Sequence, residues 1–457
     1  MIRAGYITLK LRETVETRLP AHLDVLEGAA RAGGSVDGNG PVDRAVLGRT
    51  SGIRAKRCYH AAQSLGQIGS RHQHFSDREL AFGLHRVVRL RLSDIDETLN
   101  IIEALRDLDG VEWASVERLA CTPLWAGAGV ARGGLVRGGV ADAFDAVGAA
   151  EAWAMEPGSR AVAVAVIDTG VALEHAEFTG RLRSGYDTVD LGMGPVSVDV
   201  SLVGDSLGRD FCARDETGHG THVAGIIGAR GVAMPQGIAG RSPLLPIRAL
   251  AAARSSGGPV FGVGALSDID SAIKVAVDMG AQVLNMSFGT ARSEADPFAP
   301  PPHAECLAYA VAEGCIPVAA MGNSGLLEDY YPAALPDCIA VGACDLDGRR
   351  TDFSTMGAHI ALCAPGQDIH SAAMRGGYAE SSGTSHAAPF VAGAAALLVA
   401  RAARMGRTLT AAIAKRALCH SAVGGPPDAE TGWGMLNIPG ALRQLDAELS
   451  LTEEGAT

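Results

Sequence analysis

The chain is poor in several things, and each shortage excludes something. Positive charge is the scarcer sign: 39 Lys and Arg stand against 51 Asp and Glu, a net charge of -12 over 457 residues. A general nucleic-acid or anionic-membrane binder needs a basic surface, so neither partner is expected. The nine cysteines contain no C-x-x-C pair. Cys315, Cys344 and Cys363 lie in apolar runs, as buried free thiols do, rather than in disulfide or metal spacings. Long apolar runs are lacking too, and the stretch from Ala387 to Ala400 reads as too short to cross a bilayer. The opening MIRAGYITLKLRE lacks the continuous apolar stretch of a signal peptide. A reducing, cytoplasmic location is therefore expected, with secretion by a non-standard route as the alternative.

Aromatic residues, at 5%, are few, whereas glycine, at 58 residues, is abundant. That composition suits tight turns and close backbone packing. Hydrophobic residues at 47% and charged ones at 20% are the balance of an ordinary globular chain. The length predicts a large domain with a smaller companion.

Three zones follow along the chain. Residues 1–121 read as a small α+β domain. Ile7, Leu9 and Leu11 alternate with polar residues, as do Val88, Leu90 and Leu92, which is strand periodicity. Ser93 offers an N-cap for a helix carrying Leu99, Ile102, Leu105 and Leu108 up to Gly110, and Val111 to Val116 reads as a returning strand. Residues 122–142 are rich in Gly, Ala and Arg without periodicity, as a cleavable linker would be. From 143 to 457, near-continuous apolar strands such as AVAVAVID, CIPVAAMGN and DCIAVGA alternate with helical stretches. This predicts an α/β domain built on a parallel sheet with helices on both faces.

Three short segments put a reactive side chain where a strand ends or a helix begins. VAVIDTGV places Asp168 at the end of a buried strand, where an acid can also bind a ribose or cap a helix. GHGTHVAGII sets His219 and His222 one helical turn apart, as a metal pair or as a general base with a packed neighbour. SSGTSHAAPFVAGAAALL puts Ser385 between a glycine turn and an Ala-rich helix, with Pro389 expected in the first helical turn. Each segment alone has an ordinary structural explanation.

Taken together, in the order Asp, His, Ser, they resemble the subtilisin-like serine proteases, over roughly residues 143–442. Chain order separates this arrangement from the chymotrypsin-like proteases and the α/β-hydrolases. The resemblance implies that Ser385 attacks the scissile carbonyl, that His219 accepts its proton, and that Asp168 orients the imidazole. VAAMGNSG resembles the family's oxyanion segment, which implies Asn323 as a side-chain donor beside the Ser385 N–H. NMSFG and GVGALSDIDSAI resemble the strands flanking the substrate. They imply Ser287, Phe288 and Gly289 on one side of an extended polypeptide and Gly262, Val263 and Gly264 on the other. In YYP, Tyr330 falls near the floor of the specificity pocket, so small or short P1 side chains are expected.

The chain departs from the family pattern in places. His386 follows the serine where methionine is usual, and a packed neutral imidazole is expected there. Glu177 resembles a calcium ligand, but ARGVAMPQG lacks the acidic or amide partners a calcium cage needs. Asp187, Asp190, Asp199, Asp205 and Asp210 fit no cage and read as a solvated loop. No metal or other cofactor is expected to be required. Residues 85–120 resemble the second half of a subtilase propeptide, which implies a ferredoxin-like prodomain acting as intramolecular chaperone and inhibitor. Self-cleavage is expected within about residues 118–142. Two other readings are a peptide-holding pseudoenzyme and a hydrolase using a metal on His219 and His222.

Overall fold

The computed structural model describes residues 1–20, 34–61, 75–122, 142–192, 195–197, 199–207 and 210–454. The linker at 123–141, which holds most of the expected cleavage region, lies outside them.

The first unit builds one antiparallel sheet from strands Ile53–Arg57, Val87–Leu92, Ile2–Leu11 and Val111–Cys121, in that spatial order. Alternation decides which face is covered. Ile7, Leu9 and Leu11 are fully buried and pack with Val88, Leu90, Ile101, Ile102 and Leu105 beneath the helices Pro41–Leu47 and Thr98–Arg106. Two sequence expectations shift. The helix begins after Glu97 rather than at Ser93, and Leu99 is 68% exposed. The buried stripe is Thr98, Ile101, Ile102 and Leu105, because a strict three-residue spacing drifts off one face of a 3.6-residue helix. The returning strand also runs on to Cys121, well past Val116.

The larger unit centres on a seven-stranded sheet ordered Leu362–Pro365, Ile339–Cys344, Ile316–Ala320, Val283–Met286, Val164–Asp168, Leu244–Arg248, Tyr186–Asp187. Every pairing is parallel. Val164 and Val166 pack toward the helices His219–Gly228 and Thr384–Arg404, and Ala165 and Ile167 toward Leu266–Asp278 on the opposite face. Burial on both faces is why this strand reads as an unbroken apolar run.

The Thr384–Arg404 helix corrects the reading of Ala387 to Ala400. It has 21 residues and meets the length and apolarity of a membrane span, but 83% of its most apolar window is buried inside the fold. Its small side chains permit that. A Cβ on Gly393 would lie 2.5 Å from the Ile238 Cβ, so a neighbouring loop rests directly on the helix backbone. Pro389 sits beyond the first turn of this helix. Lacking an N–H, it leaves the Ser385 carbonyl without its intrahelical partner, and the Ser287 hydroxyl donates to that carbonyl at 3.0 Å.

The acidic stretch after Asp168 is not simply a solvated loop. It contributes strands Pro195–Ser197 and Val200–Leu202, which pair through Ala251–Ser255 and Val260–Ala265 onto Val111–Cys121 and so extend the first unit's sheet to eight strands. Asp187 is 2% exposed and receives Arg248 at 2.6 Å. Burial pushes its carboxyl up to about 7 against the pull of that arginine. Asp190 pairs instead with Lys56 of the first unit.

Candidate active site

Asp168 ends its strand fully buried, and its Oδ1 lies 2.7 Å from His219 Nδ1. His219 opens its helix, and that start is held by an acid the sequence reading passed over. Asp215 accepts from the N–H groups of Thr217, Gly218 and Thr221 and from the hydroxyls of Thr169 and Thr221. These are the donors a helix start leaves unsatisfied, so one buried carboxylate fixes where the imidazole hangs. An Asp one turn ahead of GHGTH was the available signal. Burial pulls the His219 pKa down, but the Asp168 charge and hydrogen bond outweigh it, and the net shift is upward. Its Nε2 is buried with no hydrogen-bond partner among the described residues.

The two neighbouring histidines do not form a metal pair with it. His222 Nε2 lies 3.0 Å from the Ile369 carbonyl and 3.1 Å from the Ala379 carbonyl, so it must donate to them. Burial pushes this imidazole down to about 3. His386 is wedged with its ring 4.4 Å from that of His222 and 5.6 Å from that of His219. Burial and then the two flanking histidines hold it well below the usual range, so it stays neutral.

Ser385 lies in the first turn of its helix, after Gly383. Asn323 faces it from the loop after Ile316–Ala320. The Thr384 N–H and hydroxyl both donate to Asn323 Oδ1, at 2.9 and 2.8 Å. That leaves the amide nitrogen as the free end. A Cβ on Gly383 would lie 2.9 Å from Asn323 Nδ2 and 3.3 Å from Ser385 Oγ, so donor and hydroxyl border the same spot. Thr384 was missed in the sequence, although it stands beside the serine.

The segments named for substrate binding lie on either side of a strand that is already filled. The end of Val111–Cys121 pairs antiparallel with Val260–Ala265, in the register Val263 to Cys121, Gly264 to Ala120 and Ala265 to Leu119. Thr122 donates to the Gly262 carbonyl at 2.9 Å, and Cys121 bridges antiparallel to Gly289. The backbones of Gly262, Val263, Gly264 and Gly289 thus hold the tail of the first unit. The side chains of Ser287 and Phe288 do not face it. Ser287 bonds Ser385 from behind, and Phe288, fully buried, packs its ring 6.1 Å from that of His303. Tyr330 lies against the Ser287–Gly289 segment and the loop that carries Asn323. A Cβ on Gly289 would meet its Cε1 at 2.3 Å, and one on Gly322 its Cγ at 3.0 Å.

Glu177 does not suit calcium. Its carboxylate is fully buried and accepts from the N–H groups of Gly231, Val232 and Ala233 and from the Tyr378 hydroxyl. These partners are donors, whereas a calcium cage needs further oxygen acceptors.

A parallel sheet carrying an acid, a histidine and a serine at its strand and helix ends defines an α/β serine hydrolase. The match to known proteins narrows this class. The subtilase family profile covers residues 159–434. The chain is 38% identical over 254 residues to the thermophilic serine proteinase of Bacillus sp. (strain AK1), which is 55% of this chain and 55% of that protein. It is 33% identical to thermitase of Thermoactinomyces vulgaris over 58% of this chain and 84% of that protein. A solved structure titled as the prenylagaramide maturation protease PagA aligns with TM-score 0.51 and 31% identity, covering 65% of this chain and 98% of that one. The chain belongs to the subtilase family of serine endopeptidases.

Proposed function

We propose that the chain hydrolyses peptide bonds through an acyl-enzyme on Ser385. His219 takes the serine proton through Nε2 and returns it to the leaving amine. Asp168 holds the proton-bearing Nδ1 and stabilises the imidazolium while remaining ionised. Asn323 Nδ2 and the Ser385 N–H receive the oxyanion. The single observation that carries this reading is the pairing of a 2.7 Å His219–Asp168 contact with an amide donor and a serine hydroxyl that border one position. The test is labelling with a fluorophosphonate. The expected result is a stoichiometric adduct, lost in Ser385→Ala, and an unlabelled wild-type protein would refute it.

The substrate in this reading is an extended polypeptide lying between Gly262–Gly264 and Ser287–Gly289, and the P1 side chain meets Tyr330. Small P1 residues are favoured. A mixed peptide library should show cleavage after Ala or Ser over Phe, and Tyr330→Gly should reverse the preference.

The first unit is read as a ferredoxin-like prodomain, an intramolecular inhibitor and folding partner. Its support is the tail at Leu119 to Thr122, which lies where an extended substrate would. Self-cleavage follows between about residues 118 and 142. Wild type should shorten on a gel while Ser385→Ala stays whole.

A further inference from the structure

Away from the cleft, three side chains of different chemistry converge between two helices. Asp270 projects from Leu266–Asp278. His303 immediately precedes Ala304–Ala312, and Cys306 lies three residues on, so both face the same way. His303 Nδ1 is 2.7 Å from Asp270 Oδ1, and the Cys306 sulfur is 3.0 Å from that same oxygen. The three ligand atoms all lie within 4.8 Å of one another. The His303 and Cys306 side chains are sealed from solvent, and Asp270 keeps 22% exposure. His303 holds φ 68, a left-handed conformation uncommon for a residue with a Cβ. From the first unit, the buried Tyr59 lines the same cavity as Asp270 and His303.

We propose that Asp270, His303 and Cys306 form a site for a zinc-like divalent cation, with the Tyr59 hydroxyl in the fourth position. The donor set selects the ion. One thiolate, one imidazole and one carboxylate suit zinc, whereas calcium and magnesium call for oxygen throughout. Zinc bonds of about 2.0–2.3 Å set tetrahedral ligands roughly 3.3–3.8 Å apart. The present contacts need to open by less than about 1 Å. Binding balances simply. The thiol proton leaves to solvent, and the imidazole proton moves from Nδ1 to Nε2, which is buried and without a partner. The cation would tie two helices of the larger unit to Tyr59 of the smaller one. It sits behind Phe288, whose ring packs on His303. The proposal does not depend on the protease reading.

The experiment uses the full chain carrying Ser385→Ala, reduced and stripped with a chelator. Zinc or cobalt is then added, and excess metal is removed by gel filtration. The expected result is one zinc per chain. With cobalt, a thiolate charge-transfer band should appear in the near ultraviolet, together with the strong visible bands of a tetrahedral site. Cys306→Ser should abolish the thiolate band. Asp270→Asn and His303→Gln should each weaken binding beyond the ~10–100-fold typical of losing an outer-shell partner. Tyr59→Phe should keep the thiolate band and weaken binding by about 10-fold. Mass spectrometry of alkylated cysteines supplies a readout that needs no substitution, since zinc should protect Cys306 from iodoacetamide. Metal retention no greater than in Cys306→Ser, or unprotected Cys306, would overturn the site. Fluorophosphonate labelling of the wild type would be untouched by that outcome.

Discussion

The cleft and the seam between the two units both bury charge, but they satisfy it differently. In the cleft, the partners are short side chains and backbone N–H groups close by. Asp215 is filled by the start of one helix, and Asn323 Oδ1 by Thr384. In the seam, long side chains reach across. Arg89 meets Asp268 at 2.8 Å, Lys10 meets Glu305 at 2.6 Å, and Lys274 meets Glu79 at 2.5 Å, while Glu117 of the first unit lies 3.3 Å from Arg89. Glu117 also accepts from the Ser267 N–H and hydroxyl at the start of Leu266–Asp278. Backbone dipoles hold a charge rigidly, as catalysis requires. Side-chain pairs between two bodies hold only while both are docked, as a separable partner requires. Apart from Lys274–Glu79, these pairs are polarised: the first unit supplies Lys10, Lys56, Arg89 and Arg106 against Glu305, Asp190, Asp268 and Asp296.

Substitutions should separate the two regions. The largest effect belongs to Asp168→Asn, which presents the wrong tautomer to His219. Turnover should fall about 10⁴-fold with melting little changed. Next comes Arg89→Met, which removes the buried cation facing Asp268 and Glu117. It should cost about 3–5 kcal/mol of stability, read by denaturant melts of the Ser385→Ala chain. Asn323→Ala should reduce kcat about 10²–10³-fold with KM nearly constant. Thr384→Val, which removes one of the two donors to Asn323 Oδ1, should give part of that loss and none of the seam's destabilisation.

Smaller again is Glu177→Gln, which replaces one acceptor of a fully used carboxylate and should cost about 1–3 kcal/mol. Added calcium should leave wild-type melting unchanged. Burial alone would raise the Glu177 carboxyl, but the Ala233, Val232 and Gly231 N–H groups and the Tyr378 hydroxyl draw it below the usual range. Its stabilisation is therefore present in full above the unfolded value near ~4.3 and is lost as pH falls through the lower folded value. Melting at graded acid pH checks this. The smallest effect is a displacement of the pH profile. With its pKa raised by Asp168, His219 becomes an unprotonated base only above the ordinary value near ~6.5. Peptidase activity should therefore titrate in with rising pH at a midpoint above that value.

How much could be read beforehand follows the same division. The parallel sheet and the three reactive segments were legible because a strand buried on both faces is a continuous apolar run, and because each reactive group sits in a tight local motif. The ends of elements were less so. The helix after Ser93 starts later, at Thr98, because the position of Leu99 was assigned from spacing without the surface it would face. The sequence resemblance puts Ser287 and Phe288 on one side of an extended polypeptide. The structure turns one toward the Ser385 carbonyl and the other toward His303. Pro389 explains the first, since a carbonyl stripped of its helical donor needs another.

The amino-acid order alone determined which backbone segments become strands or helices and where Asp168, His219, Asn323 and Ser385 stand on them, because periodicity and turn chemistry are local. Only the folded molecule decided that Thr122 lies against Gly262, that Arg89 faces Asp268, and that Asp270, His303 and Cys306 share one space. Those contacts join segments far apart along the chain, and no local pattern records which surfaces will meet when two sheets and their helices pack.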